Sequence, residues 1–364
     1  MKPRVLIARL DNDGDVLLAG PAVRAVAAGA ERVTLLCGHR GEAAARLLPG
    51  VDELHTFTAP WIDPEPRPVS RIATMGLVDK LTALQIDQAI ILTSWHQSPL
   101  PLALLLRLAG IPTLAAISPE YPGSLLDVRH RVAGDIHEVE RSLSLVATLG
   151  YSLPRGDDGR LVVMRRAAPM RHLVEDGPYV VVHPGASVPA RAWAPERSAR
   201  LVEALADAGT RVVVTGAPSE KRLTARVAGR ARPEVTDLGG ATDLVTLADI
   251  IAGASAIVVG NTGPAHLAAA VGTPVVSLFA PTVPAARWRP WRVPHVLLGL
   301  QEISCAGCRA RECPVEGHPC LGAVSVGKAV AAVARLSAGR GASAPNASSL
   351  SPSPPSPLRT AVAR

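Results

Sequence analysis

Short runs of Val, Ile, Leu and Ala alternate along this chain with longer segments whose apolar residues recur at helical spacing. Arg4–Ala8 is the first strand-like run; Asp11–Gly14 is turn-like, and Val16–Ala28 has a helix pattern with Pro21 early in it. The same alternation predicts strands at Val33–Cys37, Ala89–Thr93 and Thr113–Ile117, with helices at Glu42–Leu47, Ser70–Leu84 and Leu100–Ala109 between them. The second half predicts Val-rich strands at Tyr179–His183, Arg211–Thr215, Ala256–Val259 and Val275–Phe279. Its helices are expected at Pro195–Ala208, Glu220–Ala231, Leu244–Ala252, Ala265–Ala270 and Ser325–Ser337. Strands alternating with helices imply parallel sheets covered on both faces. A charged stretch with Pro169 suggests a boundary, giving domains over 1–165 and 178–338 joined by a linker over 166–177. From Gly339 to Arg364 the chain is rich in Gly, Ala, Ser and Pro, a composition that buries no core and is expected to be disordered.

Composition changes this picture only at the margins. A length of 364 residues suits two domains, and 48% hydrophobic residues with 3% aromatics leave Ala, Val and Leu to build the cores. The net charge of +7 favours anionic partners such as phosphates or acidic lipid, although it also suits an Arg-rich surface with no such partner. Arg9 and Asp11 cut short the first apolar run, and Leu100–Leu106 is too short to span a bilayer. The chain is therefore expected in the cytoplasm, with peripheral contact to an anionic membrane surface through its basic residues.

Three motifs lie where a strand hands over to a helix, which is where ligands bind in doubly wound sheets. Asn12-Asp13-Gly14-Asp15-Val16 places carboxylates where a dinucleotide binder has glycines. Carboxylates repel pyrophosphate, so one of them suits a general base; the alternative is helix capping by Asp13 or Asp15. His183-Pro184-Gly185-Ala186-Ser187, followed by Arg191, combines a close backbone approach, a hydroxyl and a guanidinium fork for phosphate, or else is an ordinary Pro/Gly connection. Gly260-Asn261-Thr262-Gly263-Pro264-Ala265-His266 opens a helix whose free N–H groups would face an anion; here the alternative is a capped helix with a packed His266. Trp61, Trp95 and Arg129–Arg131 are candidates for an acceptor site and equally for plain surface or packing.

Of five cysteines, Cys305, Cys308, Cys313 and Cys320 cluster within sixteen residues. A structural zinc site is one reading, reduced thiols packing a loop or a fortuitous disulfide the others; Cys313 to Cys320 is longer than a usual zinc pair.

These motifs, with Gly14-Asp15-Val16-Leu17 and Gly272-Thr273-Pro274 through Leu278-Phe279-Ala280-Pro281-Thr282, make the chain resemble glycosyltransferase family 9, the heptosyltransferases of the lipopolysaccharide inner core. The resemblance runs from about Arg4 to Leu336. It implies an α/β fold of GT-B architecture, two Rossmann-like doubly wound domains facing across a cleft, with acceptor on the first and nucleotide-sugar on the second. It implies inverting transfer of a heptose-like sugar from an ADP-linked donor to a saccharide or lipid-linked acceptor, with no required cofactor or metal and no nucleic acid. Asp15 takes the role of general base. Ser187 and Arg191 would meet the diphosphate and Glu220 the ribose, while Asn261, Thr262, Gly263 and His266 form the donor loop. The family more often has Lys at 191 and Asp at 261, so Arg191 and Asn261 are departures. A sugar-nucleotide epimerase on the same scaffold, or a non-catalytic nucleotide-binding relative, are the alternative functions.

Overall fold

A computed structural model of the chain describes residues 1–166 and 173–341. It divides into two compact units at the Met164/Arg165 bond. The expected linker lies partly, and the expected tail almost wholly, outside the described residues; the first three residues assigned to that tail instead complete the last helix, which ends at Gly341.

In the first unit the elements are β1 (Arg4–Arg9), α1 (Asp13–Gly29), β2 (Arg32–Cys37), α2 (Glu42–Ala45), β3 (Glu53–Thr56), α3 (Arg71–Ala83), β4 (Gln88–Ile91), α4 (Leu100–Leu108), β5 (Thr113–Ile117), β6 (Val128–His130) and α5 (Glu138–Ala147). Its six strands are parallel and ordered β3-β2-β1-β4-β5-β6. The second unit contains β7 (Tyr179–His183), α6 (Pro195–Asp207), β8 (Arg211–Gly216), α7 (Lys221–Ala228), β9 (Val235–Gly239), α8 (Leu244–Gly253), β10 (Ala256–Gly260), α9 (Gly263–Ala270), β11 (Val275–Leu278), α10 (Ala285–Trp288), β12 (His295–Leu298), α11 (Pro319–Gly322) and α12 (Val326–Gly341). Its parallel sheet runs β12-β11-β10-β7-β8-β9, the same winding as the first.

The predicted strands are all present, and they are the inner four of each sheet. β1, β7 and β10 are buried almost throughout because both faces carry helices, so they read as unbroken apolar runs. The strands that the pattern missed are β3, β6, β9 and β12, the four edges. They are short and mostly half-exposed, so no apolar run marks them. The amphipathic helix α5 was also missed.

In each sheet the strand order reverses between the unit's first and fourth strands: β1 and β4 in one, β7 and β10 in the other. Connections leave in opposite directions there, opening a crevice beyond the carboxyl ends. All three sequence motifs fall at these two points.

Candidate functional site

In the first unit the turn after β1 carries Asp11 and the first turn of α1 carries Asp13 and Asp15. Asn12 is the residue before the helix, and its side chain makes no capping bond. Asp13 instead accepts the Ala44 N–H at 3.0 Å, holding α2 against α1. Asp15 accepts from Nη2 of Arg9 at 2.9 Å.

Arg9, the last residue of β1, is 2% exposed. Its Nε pairs with Asp11 at 2.9 Å, its Nη2 also donates to Ser94 Oγ at 3.0 Å, and its Nη1 lies 4.0 Å from Glu138. Glu138, the first residue of α5, accepts from Arg141 at 2.9 and 3.0 Å. Gln97 donates to Asp11. Burial pushes the Asp11 carboxyl up to about 6, against the pull of Arg9. Burial raises Glu138 too, opposed by Arg9 and Arg141. For Arg9, burial opposes the charge, but Asp11, Asp15 and Glu138 outweigh it and hold the guanidinium above its ordinary range. The side chain of Asp15 is 20% exposed against 6% for Asp11 and 2% for Glu138, so among the three it is the carboxylate nearest solvent.

Trp61 borders a small depression with Leu10, Thr93, Gln97 and Ser98, and stacks obliquely on Phe57 at 5.9 Å. It therefore stands at the same sheet end as the carboxylates. Trp95 lies edge-on to His96 and is partly exposed. Arg129 is committed to the carbonyls of Ser118 and Pro119, a bracing role in the turn after β5.

In the second unit His183 ends β7, buried, with Nδ1 3.0 Å from Thr215 Oγ1 and Nε2 4.0 Å from Glu220. Burial lowers its pKa, with Glu220 pulling the other way. The Glu220 carboxylate accepts the Ala217 N–H at 2.8 Å and lies directly over Gly185, where a Cβ would collide with it. Gly185 is thus required by a side chain 35 residues away in sequence. Ser187 is exposed in the following bend. Arg191 Nε donates to Thr282 Oγ1 at 3.2 Å, beyond β11. The Arg191 carbonyl passes so close to Gly260 that a Cβ there would stand 2.8 Å from it. The loop after β7 therefore lies over the end of β10, where Asn261 and Thr262 begin.

Asn261 is 6% exposed, yet neither its amide N nor its amide O has a hydrogen-bond partner. Thr262 Oγ1 is likewise buried and unpartnered, as is Nε1 of Trp193. Thr262 precedes α9 in extended conformation but makes no side-chain capping bond. Gly263 opens the helix, and His266 is buried in it. Leaving such a group buried and unbonded costs about 1–3 kcal/mol.

The cysteine cluster takes the arrangement of reduced thiols lining a loop. Cys305, Cys308, Cys313 and Cys320 are free thiols lining one cavity, yet among the described residues no group of three or more His, Cys, Asp or Glu could hold a metal ion. The reason is placement: Cys320 is tied into the core through α11, while Cys308 is exposed on the loop. What the loop does is brace its neighbours. Gly307 and Arg309 donate to the carbonyls of Pro281 and Thr282 at 2.7 and 3.0 Å, and Ala190 donates to Arg311 O at 2.9 Å. These bonds fix both partners of the Arg191–Thr282 contact.

Sequence reading missed Arg9, Gln97, Glu138 and Arg141. A charged residue ending an otherwise apolar β1 was the available signal, since a strand buried on both faces rarely carries one.

Known proteins resemble this chain in both sequence and fold. Lipopolysaccharide heptosyltransferase 3 of Escherichia coli (strain K12) is 32% identical over 162 residues, 43% of this chain and 47% of that protein, so the chain spans about half the length of this curated relative. The solved structure of a family 9 glycosyl transferase from Veillonella parvula superposes with a TM-score of 0.73 at 17% identity, covering 93% of this chain and 97% of that one. That of an E. coli heptosyltransferase with ADP-2-deoxy-2-fluoro heptose gives 0.67 at 21%, covering 91% and 99%. These likenesses establish a two-domain α/β fold of the GT-B kind. Residues 76–318, more than half of the chain, match glycosyltransferase family 9 (heptosyltransferase); the match takes in Ser187, Arg191, Glu220 and the 261–266 loop but starts beyond Asp15. With that match and these folds in agreement, the chain belongs to glycosyltransferase family 9.

Proposed function

We propose that this protein is an inverting glycosyltransferase that moves a heptose-like sugar from an ADP-linked donor to a saccharide or lipid-linked acceptor of the cell envelope, as in lipopolysaccharide-core assembly. The observation that carries the reading is the group of buried, unpartnered polar atoms on Asn261 and Thr262, at the start of α9 and under the Arg191 loop. Such atoms are tolerated where a ligand completes their bonds. A nucleotide-sugar supplies what they lack: hydroxyls for the amide and Thr262, and a diphosphate for the amides opening α9 and for Arg191. Ser187 adds a hydroxyl, Glu220 a carboxylate for a ribose, and Gly263 and His266 complete the loop.

The first unit supplies the base. As the acceptor oxygen attacks the anomeric carbon from the face opposite the diphosphate, Asp15 takes the hydroxyl proton. The negative charge that builds on the departing diphosphate is met by Arg191 and the helix N-terminus, groups already oriented before reaction. No bound cofactor or metal is needed for these steps, and nucleic acid is not a partner. Among the described residues no helix is long and apolar enough to cross a membrane. We place the enzyme in the cytoplasm, meeting anionic lipid peripherally through its excess of basic residues.

The test is Asp15→Asn assayed with ADP-heptose and a deacylated lipopolysaccharide core oligosaccharide. Turnover should fall by roughly two to four powers of ten with donor affinity retained. Near-normal turnover in that variant would remove Asp15 from the chemistry.

A further inference from the structure

We infer that Arg9 is a positioning residue for Asp15, holding the base by one arm of a guanidinium that is also ion-paired with Asp11 and faces the Glu138–Arg141 pair. The inference rests on the reading of Asp15 as the acceptor base.

The argument starts from cost. A guanidinium buried to 2% exposure is expensive unless every face is compensated. Here the compensation is built from four separate parts of the chain: the turn after β1, the first turn of α1, the segment after β4, and α5. Nε faces Asp11, Nη2 is shared by Asp15 and Ser94, and Nη1 points to Glu138. The two hydrogen bonds from Nη2 and the ion pair at Nε set the orientation of this planar group, with Glu138 at 4.0 Å from Nη1. Asp11 is itself held by Gln97, and Glu138 by Arg141, which donates onward to the Thr93 carbonyl at 3.2 Å. The network is therefore anchored to backbone just after β4, and Asp15 is the most exposed of its three carboxylates.

The charges give the second strand of the argument. When all groups are ionised, Arg9 and Arg141 face Asp11, Asp15 and Glu138, leaving one negative charge in excess. Arg9 is the cation that lies against all three carboxylates. Its loss would remove the guanidinium that Asp15 is bonded to and leave the carboxylate repelled by two buried neighbours. A carboxylate deprived of its cation is protonated more readily. A lysine keeps the charge but offers a point in place of a fork.

The experiment compares Arg9→Met and Arg9→Lys, each alone and in the Asp15→Asn background, by ADP release from ADP-heptose in the presence of deacylated core oligosaccharide. For Arg9→Met, kcat should fall by about 10- to 100-fold, by analogy with the loss of residues that orient metal ligands. Donor KM should stay within about twofold, and the acid side of the pH profile should move to higher pH. Arg9→Lys should recover part of kcat and return the acid limb towards wild type. In the Asp15→Asn background neither change should cost more than about twofold further, because a positioning residue has nothing left to position. If Arg9→Met does not fold, Arg9→Lys carries the test through its pH profile and its coupling to Asp15. Unchanged kcat in both variants, or an equal loss with and without Asp15, overturns the inference while leaving Asp15 as base. Wild-type turnover in Asp15→Asn alone overturns the underlying reading instead.

Discussion

At the scale of single residues, the second unit keeps two groups in states that water would not give them. Asn261 is a buried amide whose N and O make no hydrogen bond, at a position where the family resemblance leads to an aspartate. An amide offers one donor and one acceptor side, both neutral, whereas a carboxylate only accepts, and more strongly. Asn261→Asp should therefore reorder preference among nucleotide-sugars more than it alters affinity for free ADP. Competition kinetics with several ADP-sugars checks this; uniformly weaker binding with the ranking preserved would mean the residue merely neighbours the phosphates. His183 is the other case. Burial holds its pKa below the ordinary 6.5, so the folded protein resists a proton that the unfolded chain accepts. The unfolded state then binds more protons below about pH 6.5, and stability is lost as pH falls through that point. His183→Gln removes this linkage. The wild type should lose more melting temperature than the variant between pH 7.5 and 5.5, with a limiting slope of about 1.4 kcal/mol per pH unit for one proton. Parallel curves would mean that His183 accepts a proton within the fold.

Elements position the first unit's carboxylates as much as their own turn does. The connection after β2 is packed against the turn after β1: a Cβ on Gly38 would strike the Leu10 carbonyl, and one on Gly41 would stand 2.6 Å from Val16 Cγ2. The obstacle at Gly38 is backbone, which cannot rotate away. Gly38→Ala should lower stability by about 1–3 kcal/mol through overpacking. It should also lower turnover, because the displaced turn carries Asp11 and leads into Asp15. Differential scanning calorimetry decides the first part; a melting temperature equal to wild type would show the two turns to be loosely apposed. The same scale explains which strands could be read. A central strand is flanked by two neighbours and covered on both faces, so its apolar run is its own signature. An edge strand such as β6 has one neighbour and only half-buried side chains, and its pairing with β5 is fixed by the partner's register.

For the whole molecule, two sheets wound in one order present two crevices, and the proposed chemistry assigns a base to the first unit and donor contacts to the second. In the proposed reading Arg191 supplies the donor-side cation, and the sequence near that loop has no Asp-x-Asp pair of the metal-diphosphate type. Transfer should accordingly survive EDTA. The measurement is ADP release before and after chelation. Loss of activity restored by magnesium, with the melting temperature unchanged, would assign the diphosphate charge to a metal.

What the sequence determined by itself is what local pattern can carry: the alternation of strand and helix, the inner strands of both sheets, the turns at 12–16, 183–187 and 260–266, and through them the family. Apolar runs and turn residues are properties of neighbouring positions, so they are visible before any folding. The tertiary structure decided what depends on strand order. Residues 9, 94, 97, 138 and 141 are far apart in the chain and form one network only because β1 and β4 are adjacent and α5 packs on α1. Gly185 reads as a flexible turn until Glu220 is seen lying over it. Four cysteines close in sequence suggest a metal site, but the buried seat of Cys320 in α11 and the exposed loop around Cys308 keep three or more of them from forming one. Spacing sets what side chains can meet; the competing demands of core burial and backbone pairing set which of them do.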